Sequence, residues 1–402
     1  MSLLIKNCKL LSNNQEVIKH ILIRNGKIAK ISDNAEHAEK MIDADSNFII
    51  PGVIDPHVHF REPGLTHKED FFTGSCAAAA GGITTIIDMP NTQPPVTTVW
   101  DMQFKRALAK KSIVNYGFHF GGSADDNINE IKKAGNIASV KVFMNVSTGK
   151  MLIEDDELLE RVFSASGLVA VHAEKDMVEK AIKLSKKCGN RLYLCHLSLK
   201  KEIDVLRQYK NDRIFAEAAP HHLFLTNNDF RKMKGFADMK PALKSQKDQD
   251  ALWDAIEEGL IDTIGTDHAP HTIKEKKQKK YPAGVPGCET MLPLLLDAVN
   301  KGKISLTKVV RLTSANPARI FRIKNKGRIA AGYDADLTII DMSLKKKVKN
   351  KELNTKCRWS PFNGKILKGW PVTTIIGGNV VFHNNKINNI PAKEISYYGD
   401  RE

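Results

Sequence analysis

The chain has 402 residues, 42% hydrophobic and 27% charged, a globular composition with room for one large catalytic domain and a smaller one. It has no run of about 18 apolar residues, so no membrane span is expected, and the start "MSLLIKNCKLL" meets a polar break too early for a signal peptide. The net charge of +15 comes from lysines spread along the chain, and the densest runs, "KEKKQKK" (274–280) and "LKKKVKNKEL" (344–353), lack interleaved aromatics; this reads as a solvated surface, not a nucleic-acid interface, and its field suits an anionic small substrate.

Residues 1–49 read as strands. "IKHILIRNGKIAKIS" holds two alternating apolar runs joined by Asn25-Gly26, a strong hairpin signal. Residues 326–402 echo that pattern in "ADLTIID" and "VTTIIGGNVVFHNNKI", with a turn expected at Gly378-Asn379. The two ends are therefore expected to meet in one small β-sandwich domain, with residues 50–325 inserted between them. The inserted segment alternates short β-branched runs ("GVIDPHVHF", "ITTIIDM", "VNYGFHF", "SVKVFM", "LVAVHA", "RLYLCHL", "RIFAEAA", "IDTIGTDH") with stretches of helical spacing such as "DELLERVFSAS", "DMVEKAIKLSKKCG" and "KKEIDVLRQY". Eight strand-like runs interleaved with helices predict an α/β fold of the (β/α)8 TIM-barrel type. The six cysteines, at 8, 76, 188, 195, 288 and 357, form no CxxC pair and read as reduced thiols of a cytoplasmic protein.

Seven of the eight predicted strands contain or run into polar residues able to serve a site: His57 and His59, Asn91, Lys141, His172, His196, the pair in "APHH", and Asp267 in "GTDHAPHT". In a barrel these positions converge on the C-terminal face, where imidazole and carboxylate together suit Zn2+ or a related divalent metal. Taken singly, each has a plainer explanation. His172 or His196 fits a core histidine with satisfied hydrogen bonds, and Asp267 fits a helix cap. His119, His221 and His222 are read as structural, and His20, His37 and His383 as surface residues. Lys141 interrupts "SVKVFM", where a buried ammonium is costly unless it faces outward or snorkels. Alternatively, a nearby metal depresses its pKa, and carboxylation by CO2 makes it an anionic bridge between two metals.

"DPHVHFREPG", "DMPNT", "VKVFMN", "VHAE", "LCHLS", "PHHLFL" and "GTDHAPHT", in this order, resemble the dihydroorotases of the amidohydrolase superfamily, and the resemblance covers nearly the whole chain. The stretch from "MKPALKSQKDQDALW" to "DHAPHTIKEK" is similar to the dihydroorotase domain of the multifunctional animal pyrimidine protein. The resemblance implies reversible cyclisation of N-carbamoyl-L-aspartate to L-dihydroorotate with release of water, the third step of de novo pyrimidine (UMP) synthesis. It implies two Zn2+ per subunit: His57, His59 and Asp267 on one, His172 and His196 on the other, and carboxylated Lys141 between them. A hydroxide held by the metals would attack the scissile carbonyl, and Asp267 would act as general base and then general acid. Arg61, Asn91 and His271 match the positions that hold the substrate carboxylate, and His59, Ala283 and Gly284 also fall at substrate-binding positions. Many bacterial relatives carry "NPPLR" where this chain has "KPALK"; Lys240 thus replaces an asparagine and offers a cation to the same carboxylate. Many of them also use aspartate at the bridging position. A covering loop would fall at 145–149, "NVSTG". The resemblance further implies a homo-oligomer, a dimer or larger, and association with aspartate transcarbamoylase.

The nearest alternatives are hydantoinase, dihydropyrimidinase and allantoinase, which share the metal scaffold; Arg61, Asn91 and His271 separate them, because an uncharged ring needs no carboxylate site. A metal-free scaffold protein of the same superfamily would have lost ligands, whereas here all six positions are filled.

Overall fold

The computed structural model describes residues 2–12, 15–147 and 151–398. All eight predicted runs are parallel strands of one barrel. In chain order they are Val53–Val58, Ile83–Asp88, Asn115–Phe118 (continued past His119 by Phe120–Gly121), Val140–Phe143, Leu168–His172, Arg191–Leu194, Ile214–Ala218 and Thr263–Ile264. The barrel closes through a parallel bridge between Val58 and His268, where the His59 N–H donates to the His268 carbonyl at 2.9 Å. Nearly every residue in these strands is buried, which is why they read as continuous β-branched runs rather than alternating ones.

Amphipathic helices cover the barrel. Asp156–Ser164 is capped by Asp155, whose carboxylate accepts the Leu158 N–H, and Asp176–Cys188 ends on Gly189 in the left-handed region. His119 interrupts the third strand. Its ring is buried, with Nδ1 2.7 Å from the Ser139 hydroxyl and Nε2 2.9 Å from the Pro56 carbonyl, the arrangement of a satisfied core histidine.

Both chain ends enter one nine-stranded sheet. The C-terminal strand Leu337–Lys347 lies between Phe48–Pro51 and Ile366–Ile376, with Ile339 opposite Ile49 and Thr373. The first hairpin turns on Asn25 and Gly26, both at positive φ (52° and 77°). The C-terminal hairpin turns one residue earlier than expected, on Gly377 and Gly378 (φ 53° and 77°), and Asn379 already belongs to the next strand. Two glycines take the left-handed pair more readily than Gly-Asn does, so the turn settles there. None of the helices is long and apolar enough to cross a membrane, among the described residues.

Ile339 is 2% exposed and packs with Ile5, Ile49 and Ile375, which come from both ends of the chain. Ile339→Ala is therefore expected to cost about 2–5 kcal/mol, and Ile339→Val only about 0.5–1.5 kcal/mol. Denaturant unfolding of the two variants checks this, and proteolysis under native conditions should release the N-terminal segment from the alanine variant together with the C-terminal one.

Candidate active site

The barrel delivers the candidate ligands to one end. His57 lies within the first strand, Lys141 within the fourth and His172 at the end of the fifth; His59, His196 and Asp267 follow the first, sixth and eighth. All six are buried. His59 Nε2 lies 3.0 Å from Asp267 Oδ1, and His57 Nε2 lies 3.5 Å from the same oxygen. The His57 ring centroid is 5.2 Å from that of His196, which is 4.8 Å from that of His172.

The hydrogen bonds at the far sides of the first two rings decide what this cluster can hold. His57 Nδ1 is 2.8 Å from Glu217 Oε1, a carboxylate oxygen, so Nδ1 carries the proton. His59 Nδ1 is 2.6 Å from Asn91 Oδ1, again an acceptor. In the neutral rings both Nε2 atoms then present lone pairs to an oxygen of Asp267, with no proton among the three. Such a convergence of acceptors is a cation site, and His57, His59 and Asp267 offer donors within 4.8 Å of one another. His172 Nδ1 and His196 Nε2 face each other at 3.0 Å, two nitrogens close enough to serve a second cation. Burial first, then the charge of Lys141, holds His57 well below the usual imidazole range; burial and then His172 do the same for His196. Neutral imidazole is the form that binds metal. Burial raises the Asp267 carboxyl, but where a proton takes the cation's place on His59 Nε2, that contact and the charge of Lys141 outweigh it, and Asp267 stays below the usual carboxylate range. The residues present fit a divalent metal.

Lys141 is fully buried and points into this cluster, with its Nζ 3.0 Å from Cys195 Sγ. The outward-facing alternative is excluded. Cys195, read from sequence only as a reduced thiol, stands with His57 and Glu217 as a second group of closely spaced donors.

Glu217, in the seventh strand, was not anticipated. It accepts from His57, from the Tyr193 hydroxyl at 2.8 Å and from the His196 N–H at 2.9 Å. Burial raises its carboxyl, while the Tyr193 and His196 hydrogen bonds favour the ionised form, which alone accepts on both oxygens, and so hold Glu217 as the carboxylate. The signal in "RIFAEAA" is a charged residue inside a strand-like run, the same kind that drew attention to Lys141.

Beside the cluster a small cleft is lined by His59, Arg61, Asn91, Lys240, Ala283 and Gly284, together with Asp267 and Ser147. Arg61 is 3% exposed and donates from Nε to the Pro270 carbonyl at 3.1 Å. Among the described residues no carboxylate pairs with it, and burial lowers its pKa to about 10, which leaves it charged at neutral pH. Lys240 is exposed at the rim. His271 sits one layer behind Arg61 rather than in the lining. Lys68 Nζ, which can only donate, is 3.1 Å from His271 Nδ1, so the ring carries its proton on Nε2 and donates to the Ala283 carbonyl at 2.9 Å. The 3.2 Å approach of Arg61 Nη2 to the same Nε2 is then a close contact and not a hydrogen bond. Of the expected covering loop, Thr148 and Gly149 lie outside the described residues.

The Phe60 N–H between His59 and Arg61 donates to Asp88 Oδ1 at 2.8 Å. The buried Lys105 stands 2.5 Å from Asp88 Oδ2 and donates to the Met89 carbonyl at 2.6 Å, tying the first strand's exit to the loop that carries Asn91. Arg61, His196 and Asp267 all have positive φ (61°, 35° and 46°), an unfavourable backbone for residues with a Cβ.

Comparison with known proteins agrees with this geometry. A dihydroorotase of Methanosphaera stadtmanae is 38% identical, covering 98% of this chain and 99% of its own length, and one of Pyrococcus abyssi is 36% identical, with 96% of each covered. Among solved structures, the L-hydantoinase (dihydropyrimidinase) of Arthrobacter aurescens superposes with a TM-score of 0.91 at 30% identity, covering 98% of this chain and 99% of that one. The amidohydrolase family profile matches residues 48–381, and with that span and this arrangement of donors the chain belongs to the amidohydrolase family.

Proposed function

We propose that the chain is a dihydroorotase, interconverting L-dihydroorotate and N-carbamoyl-L-aspartate in pyrimidine synthesis. The observation that carries this reading is the guanidinium of Arg61, buried at the cleft beside His59 and Asp267 with no carboxylate among the described residues paired to it. A buried charge without a partner is costly, so a substrate that brings a carboxylate to this point repays the cost of its own binding. Asn91 and the rim cation Lys240 stand at the same cleft. A second reading, hydantoinase, draws on the structural likeness to the Arthrobacter enzyme; it leaves Arg61 without a purpose, because a hydantoin ring has no carboxylate.

The metals are proposed to be Zn2+: His57, His59 and Asp267 on one ion, His172 and His196 on a second, and carboxylated Lys141 shared between them. For Lys141, the neutral amine adds to CO2, an N–C bond forms and one proton leaves. The product is an anion, whereas the unmodified ammonium would repel both cations. Divalent metal at such a site activates water for attack and polarises the carbonyl to be attacked.

The chain's own groups supply the rest. Arg61, Asn91 and Lys240 orient the ring through its carboxylate, so that the scissile amide faces Asp267. In the hydrolytic direction water adds its oxygen to the ring carbonyl carbon and Asp267 takes the proton. The C–N bond then breaks and Asp267 returns the proton to the departing nitrogen, while the new carboxyl group ionises. In the synthetic direction the side-chain carboxylate takes one proton from solution, the ureido nitrogen attacks its carbon and gives its proton to Asp267, and Asp267 passes that proton to the oxygen that leaves as water. Asp267 is suited to this shuttle because its carboxyl is held ionised, one oxygen facing His59 and His57.

Four outcomes are expected. Wild-type enzyme should turn over dihydroorotate far faster than hydantoin or dihydrouracil, and Arg61→Met should remove about 2–5 kcal/mol of transition-state binding, read as kcat/KM. Comparable rates on hydantoin would instead favour the second reading. Asp267→Asn should lower kcat by about a hundredfold or more with the circular dichroism spectrum unchanged. Lys141→Ala should lose bound metal, counted by elemental mass spectrometry, with partial recovery of metal and rate in concentrated acetate.

A further inference from the structure

Lys276 lies in the run "KEKKQKK", whose other lysines are exposed, yet it is 2% exposed itself. It ends the short helix Ile273–Lys276, and its Nζ donates to the carbonyls of Pro282 and Gly284, both at 2.8 Å. Between them the Ala283 carbonyl accepts from His271 Nε2 at 2.9 Å. Three consecutive carbonyls are therefore bound by residues outside the cleft lining, while Ala283 and Gly284 themselves form part of its wall. Trp359 completes the brace, since the Lys276 Nζ is 5.6 Å from its ring centroid and its indole N–H donates to the His271 carbonyl at 2.7 Å. Gly284 has no freedom to rebuild the wall differently: its φ is 133°, and a Cβ there would fall 2.5 Å from the Ala269 carbonyl oxygen.

A carbonyl oxygen carries partial negative charge and repels a carboxylate. We propose that Lys276 is a positioning residue for substrate specificity: by holding the Pro282 and Gly284 carbonyls on the outer side, it keeps the 282–284 wall free of acceptors that would oppose an anionic ring. The inference rests on the dihydroorotase reading and adds to it a residue that touches neither the metals nor the substrate. A lysine suits this place because one ammonium spans two carbonyls, which a neutral side chain of similar length leaves unsatisfied and free to turn.

The test uses zinc-loaded full-length enzyme. Lys276→Met is expected to raise KM for dihydroorotate by about tenfold or more while kcat stays within about threefold, because binding is lost and the reacting groups are untouched. The Kd of orotate, a planar analogue carrying the same carboxylate, should weaken by the same factor in calorimetry, with metal per chain unchanged. Lys276→Arg, which keeps several donors, should recover part of both losses. Should the methionine variant fail to fold, Lys276→Gln is read in the same assays. A wild-type KM and orotate Kd in the methionine or glutamine variant would overturn the proposal, as would a joint fall of kcat and metal content with KM unchanged. If the wild-type enzyme neither turns over dihydroorotate nor binds orotate, the dihydroorotase reading itself falls, and the specificity role falls with it.

Discussion

The buried carboxylate of Glu217 is the interaction on which the site depends. It takes hydrogen bonds from the His57 ring, the Tyr193 hydroxyl and the His196 backbone, so one side chain of the seventh strand fixes groups on the first and sixth. Tyr193 reaches on to the Thr263 hydroxyl at 2.6 Å, bringing in the eighth strand, and Gly265 leaves the space, since a Cβ there would stand 2.2 Å from Glu217 Oε2. A carboxylate in such a place is tolerated only when its oxygens are satisfied, and here both are. In return it sets the tautomer of His57, and that tautomer aims the Nε2 lone pair into the cluster.

The same logic extends outward. Arg61, His196 and Asp267 each hold a left-handed backbone, at an expense of about 1–3 kcal/mol apiece. The barrel over-determines these turns. The Asp88–Lys105 pair fixes the segment from His59 to Arg61, and Asp55 accepts the Thr266 N–H at 2.9 Å just ahead of Asp267. Left-handed residues occur elsewhere in the chain, at Asn25 and Lys175 for example, but these three stand just beyond buried barrel strands, at positions that face the cluster and the cleft. A site built this way is organised before substrate arrives, which is what electrostatic catalysis requires.

Much of this was legible in the sequence because barrel strands and their ends follow simple rules. The eight apolar runs announced the barrel, and a polar residue at the end of successive runs announced the cluster. What was not legible has a common physical cause. Glu217 and Cys195 act through contacts between residues distant in sequence, and Lys276 through a loop that folds back over it; their local patterns look ordinary: a glutamate in "RIFAEAA", a cysteine before a histidine, one lysine in a charged run. For Lys276 the charged run favoured solvation, and only the fold shows a stem passing inward beside Trp359. His271 illustrates the same limit in another form. Its place next to the cleft was legible, but its position one layer behind Arg61 depends on side-chain packing that no spacing encodes.

The two kinds of likeness point to different enzymes, and the site explains why. Backbone superposition with the Arthrobacter L-hydantoinase is near complete at a TM-score of 0.91, whereas relatives more similar in sequence, such as that of Methanosphaera stadtmanae at 38% identity, are dihydroorotases. Superposition reports the barrel and its strand ends, and those carry the cation cluster that every cyclic amidase of this family needs. On the proposed reading substrate choice sits elsewhere, on Arg61 just past the first strand, on Lys240 at the rim and on the wall at Ala283 and Gly284, all of which line the cleft. These positions lie on loops, so changing them alters which ring is held without moving a strand. A fold comparison is therefore nearly blind to the difference between a ring with a carboxylate and one without. The charge lining the cleft is not, because a buried guanidinium that no carboxylate of the described residues pairs with offers a place to a ring that carries one.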